Sequence, residues 1–351
     1  YKETNNPLEA TNFTFGGIGK ATNYLMAAHN YAHGWKVGAA GTNRNYKAAV
    51  RTSYSSGPLA NGWTLMGQLA LRFGPYTQQK GQIGEGIDYY SFGYFFTAEK
   101  VWGSRHRLSL LTFGSPTRRG QSGAVTDEVY NLTNLYNKDK YGCRWGANNY
   151  NPYWGYQNGK MRNSRIVKSY DPTIVAAYDF KIDENQTLHV ALGGHYSFYS
   201  NSALQFYNAP DPRPDYYRNM PSFLRDGQID EEGYFISKNI NGTKLGNGYY
   251  DGLGQWVGPS IDRASYESMF NAWATRDPQA TQIDWDQIYA ANYANNAINE
   301  NASARYIVER RHNDIAEVNA AANYRNTQFD HLTMTAGLEL KESVGIHYKT
   351  I

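Results

Sequence analysis

From Trp63 to Phe73 the chain alternates without a break. One parity reads Trp63, Leu65, Gly67, Leu69, Leu71, Phe73, and the other reads Thr64, Met66, Gln68, Ala70, Arg72. A period of two places one set on each face of a β-strand. The pattern recurs at Tyr90, Phe92, Tyr94, Phe96, Ala98 and at Leu188, Val190, Leu192, Gly194, Tyr196, Phe198. It appears again at Ala316, Val318, Ala320, Ala322, Tyr324 and at Leu332, Met334, Ala336, Leu338, Leu340. The stretch around Leu108–Gly114 alternates less cleanly. Repeated segments of this kind confine the chain to antiparallel sheet with one apolar and one polar face.

The composition agrees. Aromatic residues make up 15%, 31 of them Tyr, while charged residues are only 19%. Disordered chains lack aromatics, and long-helix proteins are rich in Ala, Glu, Lys and Leu, so both classes are excluded. The net charge of +3 names no partner, and Arg305, Arg310 and Arg311 are interrupted by Glu309 and Asp314. That is not the basic footprint of a nucleic-acid binder. One cysteine, Cys143, excludes an internal disulfide. No apolar run reaches the roughly 18 residues of a membrane helix, but membrane β-barrels cross with alternating strands of about 9–11 residues. The first six residues, Tyr1 to Asn6, lack the basic start and apolar core of a signal peptide. The expectation is a chain that begins inside something, either a processed product or part of a longer protein.

Short turns are expected at 57–62, 103–106, 183–185 and 326–328, and long connections at 74–87, 117–163 and 201–302. Short turns at one end and long loops at the other are the pattern of an outer-membrane barrel. A soluble sandwich distributes its loops more evenly. Within the longest connection, Asp284–Asn295 reads as a short helix capped by Thr281 or Asp284. The proline-rich run Asn208–Phe223 reads as an ordered or extended loop. Aromatics at strand ends (Trp35, Trp63, Phe73, Trp102, Tyr178, Phe180) fit interfacial girdles better than a soluble core.

Candidate chemistry is sparse. Gly16-Gly17-Ile18-Gly19-Lys20 has the wrong spacing for a phosphate loop. The polar parity carries Arg51, Arg72, Glu99, Asp179, His189, His195, Glu317 and Glu339, which would face a barrel lumen. They either hydrogen-bond a plug and water or line a solute path. His189 and His195 are too far apart on one strand to clasp a metal, and no metal site or cofactor is expected. Asp211, Asp215, Asp226, Asp230, Glu231 and Glu232 read as a solvated acidic surface rather than a calcium loop. No two carboxylates are fixed at a separation suited to glycoside hydrolysis, and no enzyme activity is expected. Trp145, Trp154, Tyr156, Tyr207, Arg213, Tyr216 and Tyr217, with Tyr153, form aromatic-rich loop segments. They serve either as a recognition surface or as packing between loops.

Several motifs carry a family resemblance. They include Phe15–Asn23, Thr42–Tyr46, Asn61-Gly62-Trp63, Ala98-Glu99-Lys100, Leu111–Gly120, Asn151–Lys160, Tyr207–Tyr217, Ile283–Tyr293 and Arg305–Asp314. Through them the chain resembles the TonB-dependent outer-membrane receptors of Bacteroidota, in the subgroup with a carboxypeptidase-regulatory-like domain before the plug. The resemblance implies an all-β transmembrane antiparallel barrel of about 22 strands, of which this chain holds about nine. Residues 1–28 would be the end of the plug and 29–351 the first part of the barrel. Strands are expected near 33–43, 46–56, 63–73, 88–102, 107–116, 164–182, 187–200, 303–326 and 331–351. The implied role is uptake of a scarce solute (siderophore, vitamin, glycan or peptide) across the cell outer membrane. The TonB–ExbB–ExbD complex would drive it, amid outer-membrane lipids and with a surface lipoprotein as a further partner. The alternative is a receptor-like barrel with a structural or assembly role in a larger outer-membrane complex.

Overall fold

The computed structural model of the chain describes residues 2–4, 21–23, 26–42, 46–74, 86–133, 150–225, 228–229, 235–236, 249–250, 256–257, 263–329 and 331–351. The alternating segments all become strands. In chain order they are β1 (Gly34–Gly41), β2 (Ala48–Ser55), β3 (Trp63–Gly74), β4 (Tyr89–Trp102), β5 (His106–Gly114) and β6 (Thr117–Gly120). Then come β7 (Trp154–Gln157), β8 (Lys160–Asn163), β9 (Ile166–Tyr170), β10 (Thr173–Lys181), β11 (Gln186–Phe206), β12 (Tyr306–Phe329) and β13 (Leu332–Thr350). All but β7 and β8 join one 11-stranded antiparallel sheet, so the fold is all-β. Each pass pairs with the pass before it, from β1 to β13. Among the described residues, no helix is long and apolar enough to cross a membrane.

Two of the passes are broken at prolines. Pro116 separates β5 from β6, and Pro172 separates β9 from β10. Proline brings no N–H to a ladder, so both neighbours lose a rung at one height. The register does not slip across the gap: Phe113 faces Thr173 and, beyond it, Thr117 faces Ser169. The carbonyls stay in use, with Pro116 accepting from the Phe92 amide and Pro172 from the Tyr196 amide. The expected strands 107–116 and 164–182 are therefore each two segments of one pass.

The two faces differ as the parity implies. One face carries Leu69, Leu71, Phe92, Phe96, Leu110, Ile174, Leu192, Val318, Leu338 and Leu340, all exposed to between 39% and 64%. A soluble monomer rarely leaves so continuous an apolar surface open. Glu342, paired with Val318, is the one carboxylate at mid-height on this face among the described residues.

Register defines two rows that bound this face. Near the tight turns, Trp102, His106, Phe180, Leu188, Tyr324 and Ala336 are successive Cα partners. His106 stacks on Trp102 at 5.5 Å and on Phe180 at 4.9 Å, with interplanar angles of 5° and 9°. Trp35, Phe73 and Trp102 are exposed on this face, as an interfacial girdle requires. Near the long loops, Phe73, Tyr90, Arg118, Lys168, Ser200, His312 and Tyr348 are successive partners. Along β4, from Tyr90 to Trp102, the rows are about 40 Å of strand apart. At the tilt of about 45° usual for membrane strands that is about 28 Å of height, close to the apolar band of an outer-membrane barrel.

The connections follow the expected asymmetry, with corrections at their ends. Strand β11 runs on to Phe206 and β12 resumes at Tyr306, so the longest connection is shorter than 201–302. The rung Tyr207 N–H to Arg305 C=O, 2.8 Å, closes its base. The turn expected at 326–328 lies three residues on, because Thr327 donates its amide to Asn185 and stays extended. His331, at φ 63°, makes the reversal instead. The turn at 57–62 needs Gly62, whose φ is 79° and where a Cβ would strike the Val101 carbonyl.

Inside the loops the chain builds its own packing. The expected helix is α2 (Trp285–Ile298), capped by Asp284, whose carboxylate accepts from the Gln287 amide at 2.9 Å. Helix α1 (Arg263–Thr275) was not expected, nor were the helical residues 127–133 or the β7–β8 hairpin. The run 208–223 is irregular up to Tyr216, but a 3-10 turn follows at Tyr217–Asn219 and a helix starts at Pro221. Val129, Leu132, Tyr150, Met220 and Trp273 form one buried cluster. Ile283, Trp285 and Ile288 form another, against Leu204, Tyr306 and Val308 at the upper ends of β11 and β12. Of residues 1–28, the described parts are Lys2–Thr4 paired with Ala21–Asn23 and the start of a 3-10 turn, Ala28–Asn30.

Candidate functional site

The polar face of the sheet is a chain of paired charges. Glu99 is 2% exposed and holds His29 at 2.6 Å, with Arg107 at 3.9 Å. His29 lies in the turn before β1, so this pair ties that turn to the wall. The rings of Tyr31 and Phe95 meet beside it at 5.7 Å. The Asp179 carboxylate pairs with His189 Nδ1 at 2.6 Å. Glu317 is bridged by Lys341 at 2.8 Å, with His195 at 4.0 Å. Glu309 joins Arg311 at 2.9 Å and Lys349 at 3.0 Å. Arg51 lies along Gly38, and Arg72 stands 5.9 Å over the Tyr46 ring. Glu339 sits on the same face opposite Ala321.

These pairs answer one question about the polar-parity residues. Glu99, Asp179, His189 and Glu317 each have a protein partner, as groups that hold a wall together do. His189 and His195 bond different carboxylates. No group of three or more His, Cys, Asp or Glu that could hold a metal is found among the described residues.

The aromatic loop candidates divide in two. Trp154 and Tyr156 belong to β7. Trp154 is 1% exposed, packs at Gly86 and meets Tyr156 edge-on at 5.7 Å. Its backbone carbonyl accepts from the Ile283 amide at 2.9 Å, and a Cβ at Gly155 would overlap the Ile283 carbonyl oxygen. Trp154 therefore packs one loop on another and presents no face to a ligand. No motif announces the stack that completes this joint. The Arg162 guanidinium lies 4.1 Å over the Trp285 ring, and the Trp285 indole N–H donates to the Arg162 carbonyl at 3.2 Å. Arg162 also donates to the Tyr289 hydroxyl at 3.0 Å, which holds that phenol below its ordinary pKa.

Tyr207, Arg213, Tyr216 and Tyr217 stand on an open run instead. Asp211 accepts from the Arg213 amide at 3.0 Å and grips its guanidinium through Nε at 2.9 Å and Nη2 at 2.5 Å. That bond holds Arg213 above its ordinary pKa. Between prolines 212 and 214 the fork is set with little freedom left. The Tyr216 and Tyr217 rings meet at 4.7 Å, and Arg218 donates to the Tyr217 hydroxyl at 3.0 Å. Tyr207 and Tyr217 are 52% and 55% exposed. Trp145 lies outside the described residues, as do Asp226, Asp230, Glu231 and Glu232.

Beneath this run, burial pushes the Asp215 carboxyl above the usual carboxylate range, and Arg213 only partly opposes it. A raised folded pKa means the folded loop holds the proton better than the unfolded chain does. Its contribution to stability is therefore full below the ordinary carboxylate pKa and falls as pH rises through the raised value. Asp215→Asn is expected to make the loop more resistant to proteolysis at neutral pH and to flatten its dependence on pH above about 4. Equal protease resistance of the two proteins at every pH would count against it.

No protein-family model and no curated protein sequence matches the chain. Among solved structures the chain is similar to the siderophore receptor PiuA from Acinetobacter baumannii. The identity is 9% and the TM-score 0.39, over 90% of this chain and 46% of that one. The chain thus spans less than half of that receptor's length.

Proposed function

We propose that the chain is the first part of an outer-membrane barrel that takes up a scarce solute with TonB-derived energy. The observation that carries the reading is the two-faced sheet. Its apolar face is open over about 28 Å of height, its polar face is laced with ion pairs, and tight turns lie at one end with packed loops at the other. The sequence motifs point to the receptor family and to its Bacteroidota subgroup. In this reading Tyr207, Arg213, Tyr216 and Tyr217 meet the solute from outside. The paired residues from Arg51 to Glu339 face the lumen, where Glu99 and His29 hold the segment that enters it. Partners are the TonB–ExbB–ExbD complex, outer-membrane lipid and a surface lipoprotein.

The test uses the full-length protein in its native cells. Fractionation is expected to recover it in the outer membrane. Uptake of the solute it serves, found by screening siderophores, vitamins, glycans and peptides, should stop when the proton-motive force is collapsed. Tyr207→Ala/Tyr217→Ala should raise the half-saturating solute concentration. Recovery of the native protein in the soluble fraction would sink the reading. Unchanged uptake of every solute class on deletion, with loss of a co-purifying complex, would replace it with the assembly role.

A further inference from the structure

The upper row contains a feature that neither uptake nor wall-building uses. It lies on the apolar face, where the parity of β4, β9 and β11 otherwise places Phe92, Tyr170 and Phe198. Arg118 and Lys168 are direct Cα partners there, and Lys168 is in turn the partner of Ser200. Two residue pairs higher, Arg310 faces Ser202 and donates to the Ser200 hydroxyl at 3.1 Å. Three cations are thus brought together on the open side of the sheet from three separate passes.

Arg118 and Lys168 rim a cavity of about 620 Å³ whose wall is apolar: Leu71, Phe92, Tyr170 and Phe198, with His312 stacked on Tyr348 at 4.3 Å at its far side. Two carboxylates face the group. Asp88 is buried and pairs with Arg118. Asp314 is buried and accepts from the Tyr199 amide at 3.1 Å and, at 3.5 Å, from the Tyr348 hydroxyl. A second cavity of about 530 Å³ adjoins the first through Arg118 and adds Arg310, Lys160 and Arg162, with no carboxylate in its lining. The strip therefore carries more positive than negative charge. It lies at the height where the apolar face ends.

We infer that this ledge binds the phosphorylated headgroup of an outer-leaflet lipid. Its acyl chains would lie along Tyr170, Phe198 and Phe92. The inference rests on the membrane-barrel reading above. Charge complementarity names the anion, and the apolar wall beneath names its attachment to acyl chains. A soluble anion gains nothing from Phe92 and Phe198, and a solute bound for the lumen would meet the opposite face. Lys and Arg at a bilayer surface each strengthen the hold on anionic lipid by several-fold.

The experiment uses the full-length protein purified in detergent and probed by native mass spectrometry. The probes are a bisphosphorylated acylated glucosamine lipid, its dephosphorylated form, and inorganic phosphate. The wild type is expected to retain the bisphosphorylated lipid and to lose it when dephosphorylated. Lys168→Gln/Arg310→Gln should weaken retention about thirtyfold, while Lys168→Arg should keep it. Arg118 is left in place because its removal would strand buried Asp88. Equal retention of the phosphorylated and dephosphorylated lipids overturns the inference. So does equal retention by the double variant, or saturation of the ledge by inorganic phosphate as tightly as by the lipid. Fractionation separates this failure from that of the barrel reading. An outer-membrane protein without lipid preference loses only the ledge, whereas a soluble one loses both.

Discussion

Replacing Leu192 by Arg is expected to cost the protein about 2–4 kcal/mol of stability in a lipid bilayer. Leu192 is 57% exposed and sits in a rung with Leu110, Ala176, Ala320 and Leu340, between Leu188 of the lower bounding row and Ser200 of the upper one. In water a charge at so open a site would change stability by no more than about 0.5 kcal/mol. In hydrocarbon it must be dehydrated or must drag water and headgroups inward. The control is Ser343→Arg, also exposed and at similar height but on the polar face opposite Glu317. That change is expected to be nearly neutral. Denaturant unfolding from vesicles reads both. Equal costs for the two arginines would mean that the apolar face does not meet lipid.

Trp285→Ala should have the next largest effect, and a local one. The indole is fully buried, lies under Arg162 and packs between Ile283, Ile288 and the upper ends of β11 and β12. Removing it is expected to cost about 3–5 kcal/mol in that unit. The Arg162 guanidinium loses its aromatic face and α2 loses its anchor. Limited proteolysis of the intact protein should then cut near 276–300 at protease concentrations that leave the wild type whole. The strands below the upper row should stay protected. Gly155→Ala should act at the same joint from the other side, by pressing a methyl group into the Ile283 carbonyl. Unchanged protection in both variants would mean that this joint does not hold the loops.

The wall was legible in the sequence because a sheet with one apolar and one polar face leaves a simple record. Leu188 to Phe198 alternates residue by residue, and so it pairs. The start of β5 was harder to read, since His106 was expected in the turn 103–106 and instead opens the strand. The structure explains it, for the imidazole is stacked flat between Trp102 and Phe180 and behaves as part of the girdle. The turn at His331 was missed because its cause is remote: Asn185, in the neighbouring hairpin, holds Thr327 extended. The loops were least legible. Trp154 and Tyr217 look alike in sequence, both in aromatic runs beside Tyr and Pro, yet one is enclosed and the other open. What separates them is the approach of Ile283 to Gly155, a contact between residues far apart in the chain. The basic ledge was invisible for the same reason. Arg118, Lys168 and Arg310 are far from one another in sequence and meet only through the register of three passes.

The rung between Tyr207 and Arg305 gives the longest connection an unusual independence. Everything between those residues enters and leaves the wall through one doorway, reinforced by the Asn292 side chain. Its amide oxygen accepts from the Arg305 and Tyr306 amides, and its nitrogen donates to the Tyr306 carbonyl. Since the entropy of closing a loop grows only with the logarithm of its length, the wall is nearly indifferent to how much chain hangs above that doorway. A different insert could be grafted at the same two residues with the strands below unaltered. A wall built this way can exchange what its upper loops display without refolding the strands that carry them.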